Sequence, residues 1–362
     1  MTSQPVEAPP PAERHSAEAL DAFCRAALLA IGGNADTADA ATRAMMHGSR
    51  HGVDSHGVRL LDHYVQSIAG GRVKGAPDMR FIGDATAALT LDADDGHGAL
   101  AAYRAMDKAM ALAGTAGIGA VAIRNSSHFG PAGAFALAAA ERGFIGLAFC
   151  NSDNLMRLHD GAERFHGTNP ISAAAPAPQG RPWMLDMATS AVPYNRVLLY
   201  RSLGRALPPD AASDEDGHDT LDPMLAEMLA PVGGLFGFKG AGLAGLVEIL
   251  SSIVSGAKLS FDIIPMSNME AMEPRNVGAF VLALNPTAFV PKPLYDAAMG
   301  RYLERLRGSR PVEGGEVLAP GDREWREAER RAREGIPIDP ATARAFDAIA
   351  SRFGLSRPVP VA

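Results

Sequence analysis

GAVAIRNSSHFGPAGAFALAAAERGFIGLAFCNS, residues 119–152, decides how this chain is read. An apolar run stops abruptly at Arg124, a polar loop follows, and after the Gly130-Pro131 break an alanine-rich segment leads to a second apolar run. Residues 120–123 and 145–150 have the length and bounding turn residues of strands; the stretch between has the length of a helix. Strand, helix, strand is the repeating unit of an α/β fold. Loops past strand ends form the ligand crevices of such folds, and His128 stands in one. Histidine titrates near neutrality, so it can take or give a proton while an alcohol is oxidised or a ketone reduced. A loop histidine bonded to backbone is the equal alternative.

Outward from this stretch the pattern is mixed α/β with helical material at both ends. Further strands are predicted within FIGDATAALTLD (81–92), ISAAAPA (171–177), PWMLDMA (182–188) and AFVLALN (279–285). Helices are predicted over 17–47, broken at Gly32-Gly33-Asn34, over 103–117, and from Ser55 to the Gly70-Gly71 stop, with Asp54 or Ser55 as N-cap. A glycine-rich turn and a long apolar helix fill 231–259, and the tail from Pro291 is helical and charged. Residues 1–15 are rich in Pro and Glu and are expected to be a disordered tail.

The 362 residues, 47% of them hydrophobic, are enough for a substantial core and more than one lobe. A net charge of −7 gives no electrostatic reason to bind nucleic acid or an anionic membrane. Cys24 and Cys150 make no disulfide framework. The opening residues lack the basic head and apolar stretch of a signal peptide, and no uninterrupted apolar run is long enough to span a bilayer. The expectation is a cytoplasmic protein.

Four stretches can carry chemistry. In DSHGVRLLDHY (54–64) a helix starting at Ser55 puts His56 in its first turn, where unpaired N–H groups attract carboxylates. At about 100° per residue, His56, Arg59 and His63 then share a face, and the planar fork of Arg59 suits a carboxylate; for Arg59 and His63 alone, a solvated face is the commoner meaning. The second stretch is the His128 loop. The third pairs CNSDN (150–154) with LDMATSAV (185–192), apolar strands ending in small polar groups that let a flat ligand approach. The fourth, GGLFGFKGAGLAG (233–245), formally satisfies GxGxxG, but no hydrophobic strand precedes it and no Ser or Thr follows Lys239, so it is neither a Rossmann fingerprint nor a P-loop. It reads as a phosphate-binding turn, with close helix packing as the alternative. His51, Asp54 and His56 lack the spacing of a metal site, and no metal is expected. No GxSxG elbow occurs.

Six segments in order, DSHGV (54–58), RNSSHFGPAG (124–133), GTNPISAAAP (167–176), LDMATS (185–190), GGLFGFKGAGLAGLVEILSSIVSGA (233–257) and APGDRE (319–324), resemble the malate/L-lactate dehydrogenase-like family of NAD(P)-dependent oxidoreductases. The resemblance implies an α/β cofactor domain distinct from the Rossmann domain (81–289), beside a helical region of 16–80 packed with 290–362, and a homodimer. It implies His56 and His128 as proton-transferring groups, and Ser152, Asp186, Met187, Ala188, Lys239, Gly240, Pro320, Gly321 and Asp322 as cofactor contacts, the cofactor being NAD or NADP. Many members carry an arginine at the position of Leu60; here Arg59 precedes it and is the candidate for the substrate carboxylate. The loop 157–166 also departs from the family, with His159 and His166. The expected reaction is hydride transfer between nicotinamide and a small 2-hydroxy or 2-oxo acid. Reduction of a cyclic imine acid is the alternative, and a non-catalytic dinucleotide-binding protein the remoter one.

Overall fold

The computed structural model describes residues 13–268 and 272–361. Residues 1–12 of the expected tail therefore lie outside the described residues. Its last three do not trail: Glu13–His15 pairs with Ile336–Ile338 in a two-stranded ladder. The alternating apolar side chains of that second strand fix its register in the core, as Ile336 and Ile338 are both buried.

A seven-stranded sheet forms the body. Its strands are β1 Arg80–Ile82, β2 Ala88–Asp92, β3 Ile118–Ser126, β4 Ile145–Cys150, β5 Ile171–Ala175, β6 Trp183–Met187 and β7 Val277–Leu284, in the order β1-β2-β3-β7-β4-β5-β6. β2 and β3 pair in parallel, and every other neighbouring pair is antiparallel. β3 and β4 run parallel to each other as the strand–helix–strand reading requires, but β7 is inserted between them. That insertion has a consequence for the site: the start of β7 lies at the same rim as the ends of β3 and β4.

The helices are α1 Ala17–Ala30, α2 Ala35–Arg50, α3 Leu61–Ala69, α4 Gly98–Ala116, α5 Gly133–Ala140, α6 Tyr194–Leu203, α7 Gly237–Glu248, α8 Lys292–Arg307, α9 Asp322–Glu334 and α10 Pro340–Phe353. α4 and α5 cover one face of the sheet in a core containing Met106, Phe135, Val121 and Val281. Alternation along β7 turns Gly278 to the other face, where a Cβ would collide with the Ser251 carbonyl of the π-turn Ile249–Ile253 that extends α7. A separate cluster unites both chain ends: Leu20, Leu28, Met45, Leu61 and Val65 with Ile336, Ile338, Phe346 and Ile349. α8 does not join it; Tyr295 instead donates to the Pro176 carbonyl beside β5. A small lobe inside 81–289 has its own four-stranded sheet, of Met156–Arg157, Arg164–His166, Ala212–Ser213 and Met228–Leu229.

Two expectations need correction here. The segment 54–64 is not one helix. It forms two 3-10 turns, Asp54–His56 and Val58–Leu60, before α3 begins at Leu61. The cause is packing on α2: the Ser49 hydroxyl accepts from Val58 N, and a Cβ at Gly57 would collide with that same hydroxyl. The helical stretch Gly234–Ile253 is long and apolar enough to cross a membrane by length and composition, against the expectation of no such run. Yet it holds Glu248 buried in a hydrogen-bonded network: Ser260 donates to it through both backbone and hydroxyl, and Asn169 through its amide.

Candidate active site

The first wall of the site is a cluster of rings. His56 and His128 stack with centroids 5.6 Å apart, and His63 meets His128 edge-on at 6.5 Å. The Tyr64 hydroxyl lies 2.9 Å from His128 Nδ1, and the Tyr64 ring stands edge-on to His97 at 4.3 Å. His56 Nδ1 is 2.8 Å from the Ser55 hydroxyl. His97 caps α4, its Nδ1 accepting from Ala99 N, which leaves the proton on Nε2, an atom without a hydrogen-bond partner among the described residues. Three elements from distant parts of the sequence thus converge: the 3-10 turns with α3, the cap of α4, and the loop after β3.

His56, His63 and His128 sit deep in the protein yet keep part of their surface open, as groups lining a cleft do. Burial disfavours the imidazolium. It pulls His56 and His63 down to about 4 and His97 to about 3, and holds His128 well below the ordinary range. The neighbouring imidazoles and Arg275 depress His128 further; Arg275 and Arg72 do the same to His63. Burial raises the Tyr64 phenol, which stays protonated. The cluster therefore holds neutral imidazoles ready to accept a proton, beside guanidinium groups that favour an anion.

Arg275 was not among the residues the sequence pointed to. It is 3% exposed and lies two residues before β7. Its side chain is ion-paired with buried Asp153, and its Nε donates to the Ile264 carbonyl. Asn276 accepts from Asn125 N at the end of β3, and Asn151 Oδ1 accepts from Gly278 N at the end of β4. Arg275 is thereby held between the loop of His128 and the strand end of Ser152. Its signal in the sequence was a lone cation just before an apolar strand, readable only once that strand's place in the sheet is known. Tyr64, His63 and His97 were likewise missed or discounted, although His63 and Tyr64 follow His56 at helix-like spacing.

Arg59 is not brought to this cluster. It is exposed and acts electrostatically on Asp339, the N-cap of α10. Leu60 is buried at 8% in the helical core. The shared face of His56, Arg59 and His63 vanishes with the continuous helix that would have made it.

The second wall gathers most of the residues named for the cofactor. The Ser152 hydroxyl accepts from Thr168 N, Thr189 N donates to the Thr168 carbonyl, and Val232 N donates to the Thr189 carbonyl. This ladder ties the end of β4 to the end of β6 and to the turn before α7. Asp186 accepts from Gly133 N, at the start of α5 and five residues past His128. It is enclosed by the protein yet its side chain is open to solvent, as on a crevice wall, and enclosure pushes its carboxyl up to about 6. Met187 and Ala188 are half-buried beside it. Gly321, at φ 98°, lies against Met184, whose N–H donates to the Pro320 carbonyl. Asp322 is engaged elsewhere, in a two-pronged pair with Arg307 and as acceptor from Ala319 N. Gly240 is a packing glycine, since a Cβ there would strike the Val232 backbone, while Lys239 is exposed with its ammonium 5.1 Å from the Phe236 ring. The small side chains, the open carboxylate and the exposed cation along one rim fit a dinucleotide.

Residues 15–347 match the malate/L-lactate dehydrogenase family model, and the chain belongs to that family. A malate dehydrogenase of Pyrococcus abyssi is 36% identical over 84% of this chain and 85% of its own length. An L-sulfolactate dehydrogenase of Methanocaldococcus jannaschii is 32% identical over 84% and 87%. The solved malate dehydrogenase of Pyrococcus horikoshii superposes with a TM-score of 0.87 at 32% identity, covering 95% of this chain and 96% of that one. The chain is an oxidoreductase acting on a hydroxy acid with a nicotinamide cofactor.

Proposed function

We propose that the chain interconverts a small 2-hydroxy acid, of the malate or sulfolactate type, and the matching 2-oxo acid, with His128 moving the proton. The observation that carries this is the 2.9 Å contact between Tyr64 and His128 Nδ1 at the mouth of the dinucleotide crevice. When Nδ1–H donates to the Tyr64 oxygen, the Nε2 lone pair faces the cleft as a base. A bound nicotinamide supplies the hydride acceptor or donor. In oxidation His128 takes the hydroxyl proton. In reduction the imidazolium gives it back, its Nδ1–H still held by the neutral phenol. The substrate carboxylate offsets the nearby cations and raises the imidazole toward its working range. His56, stacked on His128, closes the other side of the proton path. Ser152, Asp186, Met187, Ala188, Lys239 and Gly321 line the cofactor crevice.

The working form is a homodimer. Leu235, Phe236, Phe238, Leu246, Ile249, Ile253 and Val254 expose 46–84% of their surface along the stretch 235–254. Contiguous apolar area on this scale marks an association surface, and a second copy of the same helix is self-complementary across a two-fold axis.

The test is oxidation of NADH and of NADPH by the purified protein with oxaloacetate, sulfopyruvate, pyruvate and piperideine-2-carboxylate. Turnover of the 2-oxo acids supports the reading. Turnover of the cyclic imine alone, or coenzyme binding with no turnover, refutes it.

A further inference from the structure

We infer that Arg275, and not Arg59, is the substrate-carboxylate clamp of this enzyme; the inference rests on the hydroxy-acid reading above. Three observations carry it. Leu60 is apolar and buried, and Arg59 faces Asp339 on the outside of the helical layer, so neither turn residue reaches the histidines. Arg275 lies at the rim shared by β3, β7 and β4, within electrostatic reach of both His63 and His128. Its Nε and one Nη are engaged, by the Ile264 carbonyl and by Asp153, while Nη1 donates to no described residue.

Asp153 fixes the plane of the guanidinium. Its other oxygen accepts from Met266 N, so the carboxylate is anchored from two sides and is not free to turn away. The result is a pre-oriented fork with an unspent donor beside the proton-transfer pair. A 2-hydroxy acid places its carboxylate one bond from the reacting carbon. A clamp next to His128 therefore grips the substrate at the right distance, and a carboxylate there meets Arg275 with Arg72 behind it.

The experiment compares the 2-oxo acid with its methyl ester in wild type, Arg275→Lys and Arg59→Ala. Lys keeps a cation for buried Asp153 while losing the fork, so the fold is retained; melting temperature and NADH binding by fluorescence serve as the check. Wild type is expected to prefer the acid by about 100-fold or more, and Arg275→Lys to raise KM for the acid about tenfold or more with little change for the ester. Arg59→Ala is expected to leave the acid preference intact. Loss of the preference in Arg59→Ala, or its survival in Arg275→Lys with NADH binding unchanged, overturns the assignment. A wild type that uses ester and acid alike refutes the clamp while leaving hydride transfer standing; one that turns over no 2-oxo acid refutes the hydroxy-acid reading itself, and the clamp with it.

Discussion

Replacing Tyr64 by Phe removes one oxygen and leaves the ring that packs against His97. What is lost depends on the charge His128 carries when it matters. Between neutral groups a buried hydrogen bond is worth about 0.5–1.5 kcal/mol, and with one partner charged about 1.5–3 kcal/mol. If His128 becomes an imidazolium during turnover, the phenol oxygen at 2.9 Å stabilises the Nδ1–H of the charged ring, and Tyr64→Phe costs roughly 10- to 150-fold in kcat. If His128 stays neutral throughout, the loss is roughly 2- to 12-fold. The variant also lowers the affinity of His128 for its proton, so the fall of ketone reduction with rising pH begins at lower pH. Steady-state kinetics in both directions across a pH series, with coenzyme Kd measured separately, separate the cases. A kcat within twofold of wild type in both directions, at every pH, would show that His128 is not the group that moves the proton.

Other outcomes follow from the same geometry. His56 and His63 have folded values near 4 against 6.5 when exposed, so folding is favoured above pH 6.5 and that contribution is lost as the pH falls from 6.5 through about 4; His63→Gln should flatten part of the decline in melting temperature over that window. Glu248→Gln puts an amide donor against the Ser260 and Asn169 donors, and should cost about 1–3 kcal/mol in urea unfolding. Gly240→Ala drives a methyl into the Val232 backbone; a destabilisation of roughly 1–3 kcal/mol is expected, and none at all would assign that glycine to the phosphate turn instead. Leu246→Glu with Ile253→Glu should convert the dimer to a monomer by sedimentation velocity, and an unchanged sedimentation coefficient would move the interface elsewhere.

The sequence carried the strands well where they were long and bounded by turns. α5, β4, β5 and β6 fall within the stretches predicted for them, while β3 and β7 each begin two residues before theirs and β3 runs three residues past its end; apolar runs of that length have few other uses. The small lobe was not legible: strands of two or three residues, such as Met156–Arg157, hold no period. Nor could the sequence reveal that β7 enters between β3 and β4, since pairing across more than a hundred residues leaves no local trace. Arg275 was overlooked for that reason. The helix expected at Ser55 failed differently. Its spacing was helical, but contact with Ser49 on α2 imposed two tighter turns, and tertiary packing outweighs propensity over so short a span. The motifs singled out His56 and His128 as candidates, and what the sequence could not supply was Tyr64 and the stacking that makes them one unit.

The ladder between Glu13–His15 and Ile336–Ile338 bears on how the enzyme comes into being. The turns and helix that carry His56, His63 and Tyr64 rest on a core completed by Phe346 and Ile349. Those residues follow every crevice strand in the sequence, so the emerging chain has its crevice strands early and its proton-handling wall late. Dinucleotide affinity should thus arise during synthesis before catalytic competence does, and a chain cut after residue 342, without Phe346 and Ile349, should retain the first and lack the second.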